Sequence, residues 1–152
     1  MDSSIGLISL VKRLHLGARA AIDAALVPYG ISAAQYSVLR RLHDDGELTG
    51  AELARNLYVT AQTMSRTIAG LQRAGLIERV EAIGSPNAVH NRLTEQGRGI
   101  VTEGRKAVQG IADDVLAPLS DQERRCFHEA LVRCTDAAER LATAPPEEVA
   151  VH

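Results

Sequence analysis

The chain has 152 residues, a formal net charge of −2, 45% hydrophobic residues and 24% charged residues. These values suit one compact globular unit, and the absence of any apolar run of about 18 residues excludes a membrane-spanning helix. In the first segment the basic residues follow the apolar stretch, which is the reverse of a secretory signal. The sequence therefore predicts a cytoplasmic protein with no membrane partner.

The chemical inventory argues against an enzyme. Neither a metal-binding His motif, a Cys-x-x-Cys pair, a phosphate-binding loop nor a nucleophile elbow is present, so we expect no catalytic residue, metal or cofactor. Cys126 and Cys134 lie in a predicted helix, where their spacing corresponds to about 12 Å, too far for a disulfide within the chain. We expect buried, inert thiols, and a disulfide between subunits stays open as an alternative.

The first two predicted helices follow from apolar spacing and from helix ends. Residues 4–27 predict a long amphipathic helix that ends at Pro28, and a short second helix follows the capping box of Ser32 and Gln35 and stops near Asp44. The apolar positions of the first helix are Ile8, Val11, Leu14, Ala18, Ile22 and Ala25, and those of the second are Tyr36, Leu39 and Leu42.

Two further helices separated by a short turn are predicted next. Thr49 and Glu52 form a second capping box, and Thr60 caps a fourth helix that Gly75 closes. The buried positions are expected to be Leu53, Ala54 and Leu57 on the third helix and Met64, Ile68 and Leu71 on the fourth. This pair fits a helix-turn-helix, in which the second helix enters the major groove of DNA.

The remainder predicts a hairpin and two long helices. Residues 76–83 and 88–93 suit two short strands joined by turn residues at 84–87, and helices are expected over residues 94–116 and 120–142. The tail, residues 144–152, is predicted to be disordered. Because the outer helices carry apolar stripes on either side of a complete small module, we expect them to pair with a second copy of the chain.

The predicted fourth helix carries the main signal for DNA. No carboxylate occurs from Val59 to Ile77, although a merely solvated helix would mix acidic with basic residues, and residues 48–98 hold six basic and four acidic side chains. Gln62 suits adenine and Arg66 suits guanine, and the hydroxyls near the helix start suit phosphates. The predicted contacts on this helix are Thr60, Gln62, Thr63, Ser65, Arg66 and Arg73.

Three stretches in order, AAQYSVLRRL, LTGAELARNLYVTAQTMSRTIAGLQRAGLIER and LTEQGRGI, resemble the MarR family of bacterial winged-helix transcriptional regulators. The resemblance implies a mainly α-helical fold with a small β-hairpin wing, an α+β winged helix. It also implies an intertwined homodimer that binds operator DNA, usually as a repressor released by a small aromatic or phenolic ligand. The expected division is dimerisation helices at 1–30 and 99–143 and a winged helix-turn-helix at 31–98.

The predicted wing departs from that family pattern. Wings in the family usually carry an Asp-x-Arg or Asp-Arg-Arg stretch whose arginine enters the minor groove, whereas this chain has Ser85, Pro86 and Asn87 there. Asn87, His90 and Arg92 are the wing residues that we expect near DNA. Loss of the arginine keeps open a degenerate winged helix that binds DNA weakly and acts through ligand or protein contacts.

The family resemblance also implies an effector pocket between the dimerisation helices and the winged helix. The polar and aromatic side chains of the first two helices are the predicted ligand contacts: His15, Arg19, Tyr29, Tyr36 and Arg40. Each has an ordinary structural alternative, such as packing for His15 or a surface ion pair for Arg40. Cys126 and Cys134 leave a thiol-based redox sensor as a further alternative.

Overall fold

The computed structural model describes residues 3–82 and 85–143, with only the backbone of residues 82 and 85–88. The chain forms two compact units, Met1–Ala112 and Asp113–His152. The predicted disorder of residues 144–152 lies outside the described residues.

The first unit begins with helices α1, Ser4–Leu26, and α2, Ala33–Asp45, joined by a 3₁₀ turn at Val27–Tyr29. The helical break falls at Pro28 as predicted, because proline lacks the N–H that a continued helix needs. The Ser32 hydroxyl accepts a hydrogen bond from the Gln35 amide at 3.2 Å, and the Gln35 side chain accepts one from the Ser32 amide at 2.9 Å. This reciprocal capping box is confirmed.

The helix-turn-helix consists of α3, Gly50–Asn56, and α4, Ala61–Arg73. Thr49 and Glu52 form the predicted capping box of α3, and Thr60 caps α4 through a 3.1 Å bond from the Thr63 amide. The predicted apolar stripe of α4 is confirmed, since Met64, Ile68 and Leu71 are all buried.

The wing is part of a three-stranded antiparallel sheet in the order β1-β3-β2. The strands are β1, Leu48–Thr49, β2, Ile77–Ala82, and β3, Ser85–Leu93. The hairpin is confirmed, but assigning residues 84–87 to its turn was wrong at 85–87, where β3 has already begun and Ser85 pairs with Ala82. The short strand β1 was not predicted.

One apolar core holds the first unit together. It draws on α1, α2, α3, α4, the sheet and helix α5, Glu95–Leu116, and its fully buried members are Leu26, Val38, Leu39, Leu53, Leu71 and Val101. At the start of α5, a Cβ on Gly97 would overlap the Leu76 carbonyl oxygen. This close approach of two backbones requires glycine.

Much of the predicted apolar stripe of α1 stays exposed in the single chain. Ile8 is 71% exposed, Val11 47% and Leu14 40%, and Leu26 is the buried residue of this helix. In the second unit, helix α6, Asp121–Thr143, has no buried residue. The expectation of buried thiols was wrong for this chain: Cys126 and Cys134 are both exposed on α6.

Candidate DNA-binding surface and effector cavity

The outward face of α4 is available to a partner. Because Met64, Ile68 and Leu71 turn into the core, the opposite face is exposed, and its members are Ala61, Gln62, Thr63, Ser65, Arg66, Ala69 and Arg73. This is the face that the sequence predicted. Its cationic groups are Arg66 and Arg73, and the Arg73 guanidinium donates a 3.3 Å hydrogen bond to the Ala69 carbonyl of its own helix.

The beginning of α4 combines free amides with a network of hydroxyl groups. The Thr60 hydroxyl donates to the Thr63 hydroxyl at 2.9 Å, while the Thr67 hydroxyl donates to the Thr63 carbonyl at 3.0 Å. The first turn contains no acidic residue. A helix start of this kind favours anions through its N–H groups and its positive dipole end, and phosphate is such an anion.

Arg92 lies at the base of the wing and is held by two carboxylates. Its guanidinium donates to Glu78 at 2.8 and 3.1 Å and to Glu47 at 3.4 Å. Its hydrogen bond and attraction to Glu78 raise the pKa of Arg92 above its usual value. The positive charge predicted to face DNA is therefore neutralised locally by Glu47 and Glu78.

The other two predicted wing contacts have different surroundings. His90 is half-buried in the middle of β3, where it pairs with Thr49 of β1 and with Val80 of β2. The side chain of Asn87 lies outside the described residues. Neither His90 nor Asn87 carries the guanidinium group of the missing wing arginine, whereas Arg79 of β2 is an exposed cationic residue of the wing.

Asn91 joins the wing to the helix-turn-helix. It is a buried polar residue, only 3% exposed, and its amide nitrogen donates to the Leu48 carbonyl of β1 at 3.1 Å. Its side-chain oxygen accepts a 3.5 Å hydrogen bond from the side-chain nitrogen of Gln72 on α4. One side chain therefore connects the strand before α3, the wing strand β3 and the helix α4, a connection that the sequence analysis missed.

A cavity of about 660 Å³ opens within the first unit beside α4. Four of the five predicted effector contacts line it, namely His15, Arg19, Tyr36 and Arg40. Tyr29 is not among the lining residues, and its hydroxyl instead donates to the Glu103 carbonyl at 3.3 Å. The cavity also has a wall that we did not predict, made of Leu57, Tyr58, Val59, Thr63, Met64 and Thr67.

The cavity combines cationic and apolar lining residues, and one of its arginines, Arg19, lies 4.0 Å from Asp23. Arg19 and Arg40 belong to α1 and α2, whereas Leu57, Val59 and Met64 belong to the turn and to α4. Burial raises the pKa of Tyr36, and the positive charges of Arg105 and Arg40 partly oppose that shift. Tyr36 therefore keeps its proton near neutrality and presents a neutral phenol.

Neither a metal site nor a membrane span emerges from the described part of the chain. Within residues 3–82 and 85–143, no group of three metal-ligating side chains comes together. The helices of the same residues are all too short or too polar to cross a bilayer.

Helix α4 is the second helix of a helix-turn-helix, its outward face is exposed and without carboxylates, and a β-hairpin follows it. This arrangement defines a winged helix-turn-helix protein. Residues 29–84 match the model of the MarR family. The HTH-type transcriptional repressor Rv2887 of Mycobacterium tuberculosis is 31% identical over 122 residues, which cover 80% of this chain and 88% of the repressor. The chain belongs to the MarR family of transcriptional regulators, as the sequence motifs indicated.

Solved structures carry the same fold. A mutant of MarR from E. coli, crystallised with operator DNA, matches with a TM-score of 0.80 and 24% identity over 86% of this chain and 94% of that one. Rv2887 in complex with p-aminosalicylic acid matches with a TM-score of 0.69 and 29% identity over 85% of this chain and 98% of that one. The predicted fold class, a helical protein with a small wing, is confirmed.

Proposed function

We propose that the exposed face of α4 reads operator DNA and that this chain is a repressor. The observation that carries the proposal is the burial of Met64, Ile68 and Leu71, which turns a face without carboxylates outward. Gln62 and Arg66 contact adenine and guanine, while Thr60, Thr63 and Ser65 contact phosphates. The operator complex of MarR from E. coli supports this role for the shared fold. Its site of action is the cytoplasm, and its activity is binding rather than catalysis.

Fluorescence anisotropy on labelled DNA from the region upstream of the gene tests this role. Arg66→Ala is expected to weaken binding to that DNA about 5- to 150-fold, since a bidentate guanine contact contributes about 1–3 kcal/mol. Arg41→Ala is the matched control, because Arg41 carries the same charge but is paired with Asp45 on α2 at 3.1 Å. Equal losses in both variants, or equal affinity for scrambled DNA, would contradict base reading by α4.

We propose further that two chains pair through their outer helices. The exposed stripe of Ile8, Val11 and Leu14 on α1 supports pairing, because a monomer rarely leaves such a surface open to water. Helices 1–30 and 99–143 then form the dimer, and residues 31–98 form the DNA-binding domain. Light scattering should give twice the chain mass, and Val11→Glu should lower that mass, whereas Lys12→Glu on the same helix should not.

The cavity beside α4 is proposed to bind an aromatic acid that releases DNA. His15, Arg19 and Arg40 supply positive charge or hydrogen bonds for the carboxylate, and Tyr36 offers its phenol to the ligand. The complexes of Rv2887 with p-aminosalicylic acid and salicylic acid support this ligand class. Salicylate should reduce operator binding of the wild-type chain, and Arg40→Gln should need at least about tenfold more salicylate for the same release.

Two alternatives have specific observations in their favour. The pairing of Arg92 with Glu47 and Glu78 favours a wing that contributes little to DNA affinity. The exposure of Cys126 and Cys134 favours a thiol sensor, which oxidises to a disulfide between subunits. Non-reducing electrophoresis after peroxide treatment tests the thiol sensor. The wild type would then run as a covalent dimer, whereas a double Cys126→Ser and Cys134→Ser variant would stay monomeric on the gel and lose any response to oxidant.

A further inference from the structure

The turn between α3 and α4 contains a tyrosine in a conformation that favours glycine. Among the described residues, Tyr58 is the single non-glycine with a positive φ, at 53°. Gly30, Gly46 and Gly75 adopt φ values of 68°, 85° and 70° at other chain reversals. A side chain in this region brings its Cβ close to the backbone, so Tyr58 holds conformational strain that glycine would avoid.

The turn itself requires this backbone conformation. The amides of Leu57, Tyr58 and Val59 donate to the carbonyls of Leu53, Arg55 and Ala54 at 3.0, 3.2 and 3.0 Å, respectively. These bonds close the end of α3 and reverse the chain toward α4. Because any residue at position 58 must adopt the left-handed conformation, the choice of tyrosine there needs an explanation other than the backbone.

Core packing does not supply that explanation, and the cavity offers one. Tyr58 is 77% exposed, so its ring adds little to the buried core. Tyr58 is also one of the residues that line the 660 Å³ cavity, together with His15, Arg19 and Arg40 of α1 and α2. A lining residue that is so exposed lies at the mouth of the cavity. Strained residues occur in proteins mainly where a function retains them.

We propose that Tyr58 is a specificity-determining residue that covers an aromatic ligand in this cavity. The inference rests on the proposed effector site and adds the selection of a planar ring. The guanidinium groups of α1 and α2 attract the carboxylate, while the ring of Tyr58 packs against the ring of the ligand. A saturated acid of similar size carries the same charge but lacks the aromatic face, so it should bind more weakly.

Calorimetric titration with salicylate, benzoate and cyclohexanecarboxylate tests the proposal on the full-length protein. The wild type should prefer benzoate to cyclohexanecarboxylate by about 2- to 12-fold, the size expected of one aromatic pair. Tyr58→Gly and Tyr58→Asn should lose this preference, because both residues tolerate the turn but have no ring. Tyr58→Phe keeps the ring and should keep the preference.

Two further readouts make the outcomes distinct. The Tm of Tyr58→Gly should equal or exceed that of the wild type, since glycine relieves the strained φ, and a marked fall in Tm would overturn the strain reasoning. An unchanged preference in Tyr58→Gly and Tyr58→Asn would overturn the role of the ring while leaving the effector site intact. The effector site itself would be refuted if the wild type bound none of the three acids and if no aromatic acid changed its binding to the operator.

Discussion

Gly70, in the middle of α4, offers a direct test of how this helix is packed. Glycine in a helix interior costs about 0.8–1.0 kcal/mol relative to alanine, because its backbone loses more freedom on folding. A Cβ at position 70 would lie 3.5 Å from the side-chain nitrogen Nε2 of Gln35, which is ordinary van der Waals contact. Gly70→Ala should therefore raise the free energy of unfolding by most of this amount.

The expected gain corresponds to a rise in Tm of about 2–4 °C for a protein of this size. Thermal unfolding followed by circular dichroism measures it, with protein concentration held constant because pairing of chains would shift Tm. Since Gly70 is half-buried on the side of Gln35, we expect the operator affinity to stay within about twofold of the wild type.

Gly97→Ala is the matched control for this substitution. The added methyl group is the same, but its Cβ would overlap the Leu76 carbonyl oxygen, so the variant should lose about 1–3 kcal/mol or more. A fall in Tm for Gly70→Ala, or a rise for Gly97→Ala, would refute the reasoning from backbone geometry. Equal changes in both variants would show that helix propensity alone decides the outcome.

Of the three other predictions, two concern the sheet and its charges, and one concerns the capping box of α3. Asn91→Leu should destabilise the fold by about 1–3 kcal/mol in urea unfolding, because the Leu48 carbonyl loses its partner, and an unchanged midpoint would contradict that role. Glu78→Gln should remove one of the two carboxylates that neutralise Arg92 and strengthen operator binding at low salt, with a steeper salt dependence; unaltered slopes would oppose this. Hydrogen bonds from Thr49 lower the pKa of Glu52, so its contribution to stability is present above the ordinary carboxyl pKa and is lost as pH falls through the lowered value. The stability difference between wild type and Glu52→Gln should thus shrink in acid.

Local patterns predicted the helix-turn-helix well. The stripe of Met64, Ile68 and Leu71 and the capping boxes that begin at Ser32 and Thr49 depend on residues three or four positions apart, so they can be read along the chain. For the same reason, the outward face of α4 followed directly from its inward face.

Features that depend on distant residues could not be predicted in this way. Strand β1 has only two residues and exists because Leu48 pairs with Asn91, 43 positions later. The apolar cavity wall likewise required the turn at Tyr58 to approach α1 and α2. The sequence did contain one usable signal, since a tyrosine stands in the short turn of a helix-turn-helix, where glycine would meet the backbone demand.

The arrangement around Asn91 constrains how any signal can spread through the winged helix-turn-helix. Leu71 of α4, Ile77 of β2 and Leu93 of β3 share one core cluster, and the Asn91 side chain of β3 bonds to α4 and to β1. A close-packed interior shifts as a block rather than deforming smoothly. We therefore expect a push on α4 to tilt the wing with it, so that helix and hairpin leave the DNA grooves together instead of one after the other.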